Sequence, residues 1–405
     1  MKILLSAFAF APNVGSEPGI GWRWAIELAR NHKVTVVTDV TRRDAIEAFG
    51  ELLPTNLEIC YFRPSWLRAV PLNSTTAQLL YTAWQFSLLG FARQLQREHR
   101  FDLAMHVTYG VFRHPSFLGF LGIPFIFGPL GGGEDAPIKL KRAIRGKEKV
   151  KEVVRAILNK IALIDPFLWF AFSKSTVILT KTADTRRVLP WPFRRRAIVY
   201  PEIGIDPVLG ASPCQRGENE PLRILFAGRL LGWKGAHLAI RALMVARSRG
   251  VNAELTIVGR GPYEHELRRI ATATMAGNAI QWLSHIPQVE LFRLYGTMHC
   301  FLFPSLHDSS GNVVLEAQAY GLPVVCLDIG GPATLVTQET AVVVPTSRIS
   351  ETEVVDHLAD AIQSLATNEE RRLAMGKAAI AHALTMNWAN RVAGALALVS
   401  AEARW

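Results

Sequence analysis

Residues 223–261, RILFAGRLLGWKGAHLAIRALMVARSRGVNAELTIVGRG, decide the fold class. RILFAGRL is an apolar run without alternation, which suits a parallel strand buried on both faces. AHLAIRALMVARSRG repeats apolar residues at helical spacing, and AELTIVGRG is a second strand. Strand, helix and strand in direct succession form a βαβ unit, and a chain that repeats it predicts a doubly wound parallel sheet.

The same alternation extends in both directions. CFLFPS and PVVCLD continue it in the C-terminal half. In the N-terminal half KILLSAFAF, KVTVVTDV, DLAMHVT, PFIFGP and STVILT read as short strands, and GWRWAIELAR as a helix. The opening MKILLSAFAFAP imitates a signal peptide, but a Gly-containing loop and a helical pattern follow at once, so it reads as a first buried strand. Residues 206–221, DPVLGASPCQRGENEP, have no periodicity and read as a linker. The expected class is α/β, with two tandem Rossmann-like domains facing across a cleft. Their expected bounds are 1–205 and 206–385, with a terminal helix over 386–405 packing back on the N-terminal domain. Ligands of such sheets bind at the carboxyl ends of the strands.

Composition narrows the function. A length of 405 residues with 49% hydrophobic and 20% charged residues fits two globular domains. No stretch reaches about 18 uninterrupted apolar residues, so no membrane-spanning helix is expected. Cys60, Cys214, Cys300 and Cys326 have no CxxC spacing, which implies neither a zinc site nor a disulfide framework and fits reduced thiols in the cytoplasm. The net charge of +11 favours anionic partners. No nucleic-acid module is recognisable, so nucleic acid is not among the expected ones.

The chemistry concentrates in PSLHDSSGNVVLEAQAYGLPVV, residues 304–325. Asp308 and Glu316 flank a small-residue turn that leads into a helix starting near Asn312. A helix start exposes unpaired N–H groups and the positive end of the dipole, which suits a phosphate or a sugar edge. In AGRLLGWKG, residues 227–235, Arg229 and Lys234 follow a strand. Two fixed cations there can neutralise a diphosphate. The chain has no DxD pair, the usual acidic ligand set for a metal-bound sugar nucleotide, so no metal and no cofactor is expected.

GRLLGWKG followed by PSxxD-x7-E-A-x-A-x-G-x-PVV closely resembles family-4 retaining glycosyltransferases of the GT-B fold. The resemblance covers nearly the whole chain, least between residues 50 and 100 and around 139–200. The family usually has Glu-x7-Glu, and Asp308 here is one carbon shorter. The resemblance implies that Arg229 and Lys234 bind the donor diphosphate and Glu316 the ribose hydroxyls. It implies that Asp308 meets the transferred sugar, and that the backbones of Gly311, Asn312 and Val313 meet sugar and phosphate. Ile286, in WLSHIP, matches the position whose backbone meets the base. PNVGSEPGIGW, residues 12–22, resembles the family's glycine-rich loop, with Gly15, Gly19 and Gly21 permitting close backbone approach to the donor. Asp39 reads as a turn residue. Family members often place a His near the sugar on the strand occupied here by PFIFGPLGGGE, which has none. His106 is the remaining histidine candidate for a catalytic part beside Asp308, Arg229 and Lys234, and His114 lies in the following loop.

Lys139–Lys160 carries nine Lys/Arg against two Glu, and Val150, Val153, Val154, Ile157, Leu158 and Ile161 follow helical spacing. A basic amphipathic helix followed by PFLWFAF suits an anionic membrane surface at the inner face of the cytoplasmic membrane. It suits equally a helix packed on its own sheet with a solvated basic face. The reading is a retaining, metal-independent hexosyltransferase that uses a UDP- or GDP-sugar. Its acceptor is a saccharide or lipid-linked hydroxyl in polysaccharide or glycolipid assembly. A GT-B-like epimerase, a phosphorylase and a non-catalytic sugar-nucleotide binding protein stay open as alternatives.

Overall fold

The computed structural model describes residues 1–50, 53–73, 76–144, 146–274 and 276–402. Arg145 of the basic run and residues 403–405, expected within the terminal helix, lie outside them. The chain divides into two units. The N-terminal unit comprises residues 1–133, 155–203 and 388 onward, and the C-terminal unit residues 134–154 and 204–387.

The N-terminal unit has a seven-stranded sheet of β1 (Lys2–Ala7), β2 (Lys33–Thr38), β3 (Leu57–Tyr61), β4 (Leu103–Val107), β5 (Phe125–Leu130), β6 (Val177–Thr180) and β7 (Ala197–Val199). Their order is β3-β2-β1-β4-β5-β6-β7. The C-terminal unit has six strands: β8 (Leu222–Ala227), β9 (Ala253–Val258), β10 (Ile280–Leu283), β11 (Cys300–Phe303), β12 (Val324–Leu327) and β13 (Ala341–Val344). Their order is β10-β9-β8-β11-β12-β13. Every described pairing is parallel. Each sheet winds outward in one direction from its first strand and then in the other, the doubly wound Rossmann order.

The central strands are buried along almost their whole length because helices cover both faces. Ile3, Leu4 and Leu5 of the opening run are at most 1% exposed, so that run is the central strand β1. Trp84, Phe125, Phe127 and Phe172 fill the N-terminal core. Cys300 and Cys326 are buried in β11 and β12, and burial pushes both thiols up to about 12. They behave as small apolar residues rather than nucleophiles.

Two departures from the expected organisation have physical causes. Residues 134–154, expected within 1–205, group with the C-terminal unit. There Glu148 Oε2 accepts the Gly232 N–H at 3.1 Å, and Glu152 lies 3.6 Å from the His307 ring. The acidic residues of a basic segment thus anchor it. The stretch expected as a linker is tied down as well: the buried Arg372 donates to the Cys214 carbonyl at 2.8 Å. The last helix begins at Trp388 and groups with the N-terminal unit, where the Arg391 guanidinium sits 3.7 Å over the Tyr200 ring.

Candidate active site

In the C-terminal sheet the direction of winding reverses between β8 and β11, and the loops after these two neighbours leave by the same edge. Helices covering the sheet diverge at such a point and leave a crevice. The loop after β8 carries Arg229 and the turn Gly232–Lys234. The loop after β11 carries Asp308 and ends in the helix Asn312–Ala319. The two loops are stitched by backbone: the Leu306 N–H donates to the Trp233 carbonyl at 2.7 Å. Gly235 has φ +77°, and a Cβ there would stand 1.9 Å from the Pro304 carbonyl oxygen. Only glycine lets these loops approach so closely.

That approach brings Lys234 and Asp308 into an ion pair, Nζ to Oδ2. The other oxygen of Asp308 accepts the N–H groups of Ser310 at 3.2 Å and Gly311 at 3.1 Å. Asp308 therefore caps the turn before the helix as well as holding the lysine. Burial pushes its carboxyl up, but the Lys234 charge and these hydrogen bonds outweigh burial and hold it below the ordinary range. Glu316, one turn into the helix, behaves oppositely. Burial raises its pKa, against a hydrogen bond from the Tyr295 hydroxyl at 3.2 Å. Asn312 opens the helix with a buried Oδ1 that has no partner among the described residues. The Arg229 side chain is exposed and has no hydrogen-bond or ion-pair partner among the described residues. Ile286 is half-buried just past β10, on the same edge of the sheet. Lys234, Asp308, Gly311 and Asn312 are thus brought together, while no hydrogen bond joins Arg229 or Ile286 to them.

The N-terminal unit repeats the arrangement. Its reversal lies between β1 and β4, and the glycine-rich loop and Thr108–Tyr109 follow these strands. A Cβ on Gly19 would stand 2.1 Å from the Val14 carbonyl, whereas Gly15 has open space around it. Asn13, Ser16, Thr108 and Tyr109 all have φ between 48° and 66°. Such non-glycine conformations cost about 1–3 kcal/mol each and persist only where the surroundings enforce them. At Tyr109 the enforcing group is Glu17, whose Oε2 accepts the Tyr109 N–H at 2.7 Å. Asp39 caps the turn after β2 through the Thr41 N–H and forms a buried pair with Arg63.

His106 occupies a different setting from the expected one. It is fully buried in β4, bonded to the Tyr81 hydroxyl at 2.7 Å, the Ser6 hydroxyl at 3.1 Å and the Gln85 amide at 3.3 Å. Burial, with a smaller effect of His114, pushes it down to about 3. It is a neutral core residue whose ring nitrogens are already engaged, and no catalytic part is carried forward for it. Sequence reading passed over Glu17, Tyr295 and Lys181. A carboxylate just before a proline at a helix start was a usable signal for Glu17; the other two carried none.

The Asp308 pair gives a pH-dependent stability. A carboxylate with a depressed folded pKa contributes stability above its unfolded pKa and loses it as pH falls through the folded value. Asp308→Asn should cost about 1–3 kcal/mol at pH 7. That difference should shrink as pH is lowered through the acid range, as read by urea unfolding of both proteins. A difference that grows on acidification contradicts the assignment.

Residues 215–382 match the family described as Glycosyl transferases group 1. Among curated proteins, the D-inositol 3-phosphate glycosyltransferase of Nocardia farcinica is 29% identical over 279 residues, 66% of this chain and 57% of that protein. The protein of the same name from Corynebacterium aurimucosum is 30% identical over 173 residues, 41% of this chain and 40% of its own length. The chain thus spans about half the length of these relatives. Among solved structures, HepE of Anabaena in complex with UDP has a TM-score of 0.62 at 16% identity, covering 99% of both chains. Sucrose-phosphate synthase of Thermosynechococcus elongatus has 0.63 at 17% identity, covering 99% of this chain and 98% of its own. At such identities the likeness is one of fold. The segment 215–382 is thus similar to the group 1 glycosyltransferases, and the two doubly wound sheets share the GT-B fold of the solved structures.

Proposed function

We propose that the protein transfers a hexosyl group from a nucleotide sugar to a hydroxyl with retention of anomeric configuration and without a metal. The observation that carries the proposal is the Lys234–Asp308 pair, with Arg229 and the Asn312 side-chain oxygen unpartnered among the described residues, all inside the family-matching segment. In the reaction the anomeric C–O bond to the diphosphate breaks and the acceptor oxygen bonds to the same carbon from the same face. The departing phosphate oxygen takes the acceptor proton. Lys234, Arg229 and the N–H groups of Asn312 and Val313 stabilise the charge that develops on the diphosphate, while the Gly311 N–H is held by Asp308. Asp308 steers Lys234 and has lone pairs left for a sugar hydroxyl, while the Asn312 side-chain amide oxygen awaits a donor from the ligand. Glu316 receives the ribose hydroxyls, Ile286 meets the base through its backbone, and Gly15 and Gly19 let their loop approach the donor. HepE was solved with UDP and with UDP-glucose, which puts UDP-sugars first among the donors to assay.

A second part of the proposal concerns where the acceptor is met. The helix Gly146–Ile161 leaves its apolar stripe in solvent: Ile157 and Ile161 are each 53% exposed, and Ile164 just beyond is 81% exposed. Phe167 and Phe170 continue the patch, and Phe167 packs 5.2 Å from the exposed Phe86. Lys149, Lys151 and Lys160 are exposed on the same helix. An unburied apolar stripe edged by cations fits an anionic lipid surface, and supports a lipid-linked acceptor. No described helix is long and apolar enough to cross a membrane.

Transfer activity should survive EDTA and fall at least a hundredfold in Lys234→Ala, since each charge-assisted bond to phosphate contributes about 1.5–3 kcal/mol and the lysine acts on developing charge. Loss on chelation restored by Mn²⁺, or near-normal turnover of a folded Lys234→Ala protein, contradicts the diphosphate assignment. Binding of UDP without turnover of any UDP- or GDP-sugar leaves the sugar-nucleotide binding protein.

The purified protein should co-sediment with phosphatidylglycerol vesicles and not with phosphatidylcholine ones, and salt should release it, because screening shortens the field to about 10 Å at 0.1 M. Replacing Ile157, Ile161 and Phe170 by Ser should abolish co-sedimentation without lowering the melting temperature. Indifference of the wild-type protein to anionic vesicles at low salt ends this part of the proposal.

A further inference from the structure

Lys181 follows β6 and is 3% exposed. Its ammonium pairs with Glu202 Oε1 at 2.6 Å and Glu17 Oε1 at 3.1 Å. Burial alone would pull its pKa down, but the two carboxylates outweigh burial and hold it above the ordinary lysine value. The other oxygen of Glu17 holds the Tyr109 N–H, and the Glu202 carbonyl accepts the Trp24 indole N–H at 2.8 Å. One buried charge thus gathers the loop after β1, the segment after β4, the end of β6 and the residues after β7.

Both segments tied by Glu17 run through left-handed backbone, at Asn13 and Ser16 on one side and Thr108 and Tyr109 on the other. Between them lies a cavity of about 220 Å³ walled by Phe8, Ser16, Glu17, Thr41, Arg42 and Tyr109. Its walls mix aromatic faces with hydroxyl, carboxylate and guanidinium groups, a lining suited to a sugar ring. A buried ion cluster is a costly way to stabilise a fold, and two carboxylates around one ammonium are costlier still. It repays its cost where it fixes a geometry.

We propose that Lys181 is a positioning residue of the transfer reaction: through Glu17 it holds the loop 12–21 and the Tyr109 backbone in place around a preformed sugar-binding cavity. This rests on the glycosyltransferase reading above. Lys181 itself touches no substrate and acts through Glu17.

The test uses the full chain with Lys181→Met, Lys181→Arg and Glu17→Gln. Three readouts are taken: UDP release from UDP-glucose, UDP-galactose and UDP-N-acetylglucosamine, the Kd for UDP, and deuterium uptake of residues 105–112. Lys181→Met should lower kcat at least tenfold and leave the Kd for UDP within twofold. It should speed exchange at the Tyr109 amide, and Lys181→Arg should recover most of the loss. If Lys181→Met fails to fold, Glu17→Gln, which leaves Lys181 paired with Glu202, should show the same pattern. Unchanged kcat, or UDP affinity falling in step with kcat, overturns the proposal. A wild-type protein that binds neither UDP nor GDP and turns over no UDP- or GDP-sugar refutes the glycosyltransferase reading instead. Exchange at Tyr109 still decides the positioning claim in that case, because unchanged exchange in a folded variant overturns it.

Discussion

The reversal of winding in each parallel sheet is the constraint on which the rest of the molecule depends. Both faces of these sheets are buried, so every crossover must carry a helix, and the helices diverge where strand order turns back. In the C-terminal sheet that point falls between β8 and β11, in the N-terminal sheet between β1 and β4. Each reversal leaves two loops, distant in sequence, leaving one edge of the sheet. In the C-terminal unit Lys234 and Asp308 tie these loops over 74 residues; in the N-terminal unit Glu17 ties the loop after β1 to the Tyr109 N–H after β4 and to Lys181 after β6, 164 residues away.

The two ties differ in what they leave open. Lys234 lies in a loop that Gly235 lets press backbone against backbone on its neighbour, and two groups of the same two stretches have no partner among the described residues: the Arg229 guanidinium and the Asn312 side-chain amide oxygen. A guanidinium suits an anionic ligand, and an amide oxygen suits a hydroxyl or N–H donor of the same ligand. Lys181 by contrast is fully satisfied, and its effect is mechanical. The opposite shifts of Asp308 and Glu316, eight positions apart, follow from the same distinction. One carboxylate is matched by a cation and two N–H groups. The other is buried with a single hydroxyl donor, from Tyr295.

The sequence was legible where burial was complete. Nine of the thirteen described strands stand out as apolar runs. The four passed over, β3, β7, β10 and β13, are the edge strands of the two sheets. An edge strand is covered on fewer sides, and Glu58, Gln281 and Val343 accordingly face solvent. Their apolar pattern is broken, and short broken runs cannot be told from loops. The C-terminal site was legible because its residues fall in two short stretches whose spacing repeats a family pattern. The Glu17–Lys181–Glu202 cluster was not, because no local pattern announces an ion pair formed by strand order. For the same reason residues 134–154 read as N-terminal. Glu148 and Glu152, which tie them to the loops of the C-terminal unit, look in sequence like minor interruptions of a basic run.

The central claim is that the reversal in the C-terminal sheet is a nucleotide-diphosphate site. The most direct measurement is a crystal structure of the protein soaked with UDP. The account predicts the diphosphate against Lys234, Arg229 and the start of the helix at Asn312, and the ribose hydroxyls on Glu316. A nucleotide bound away from these residues, or none at saturating concentration, would contradict it.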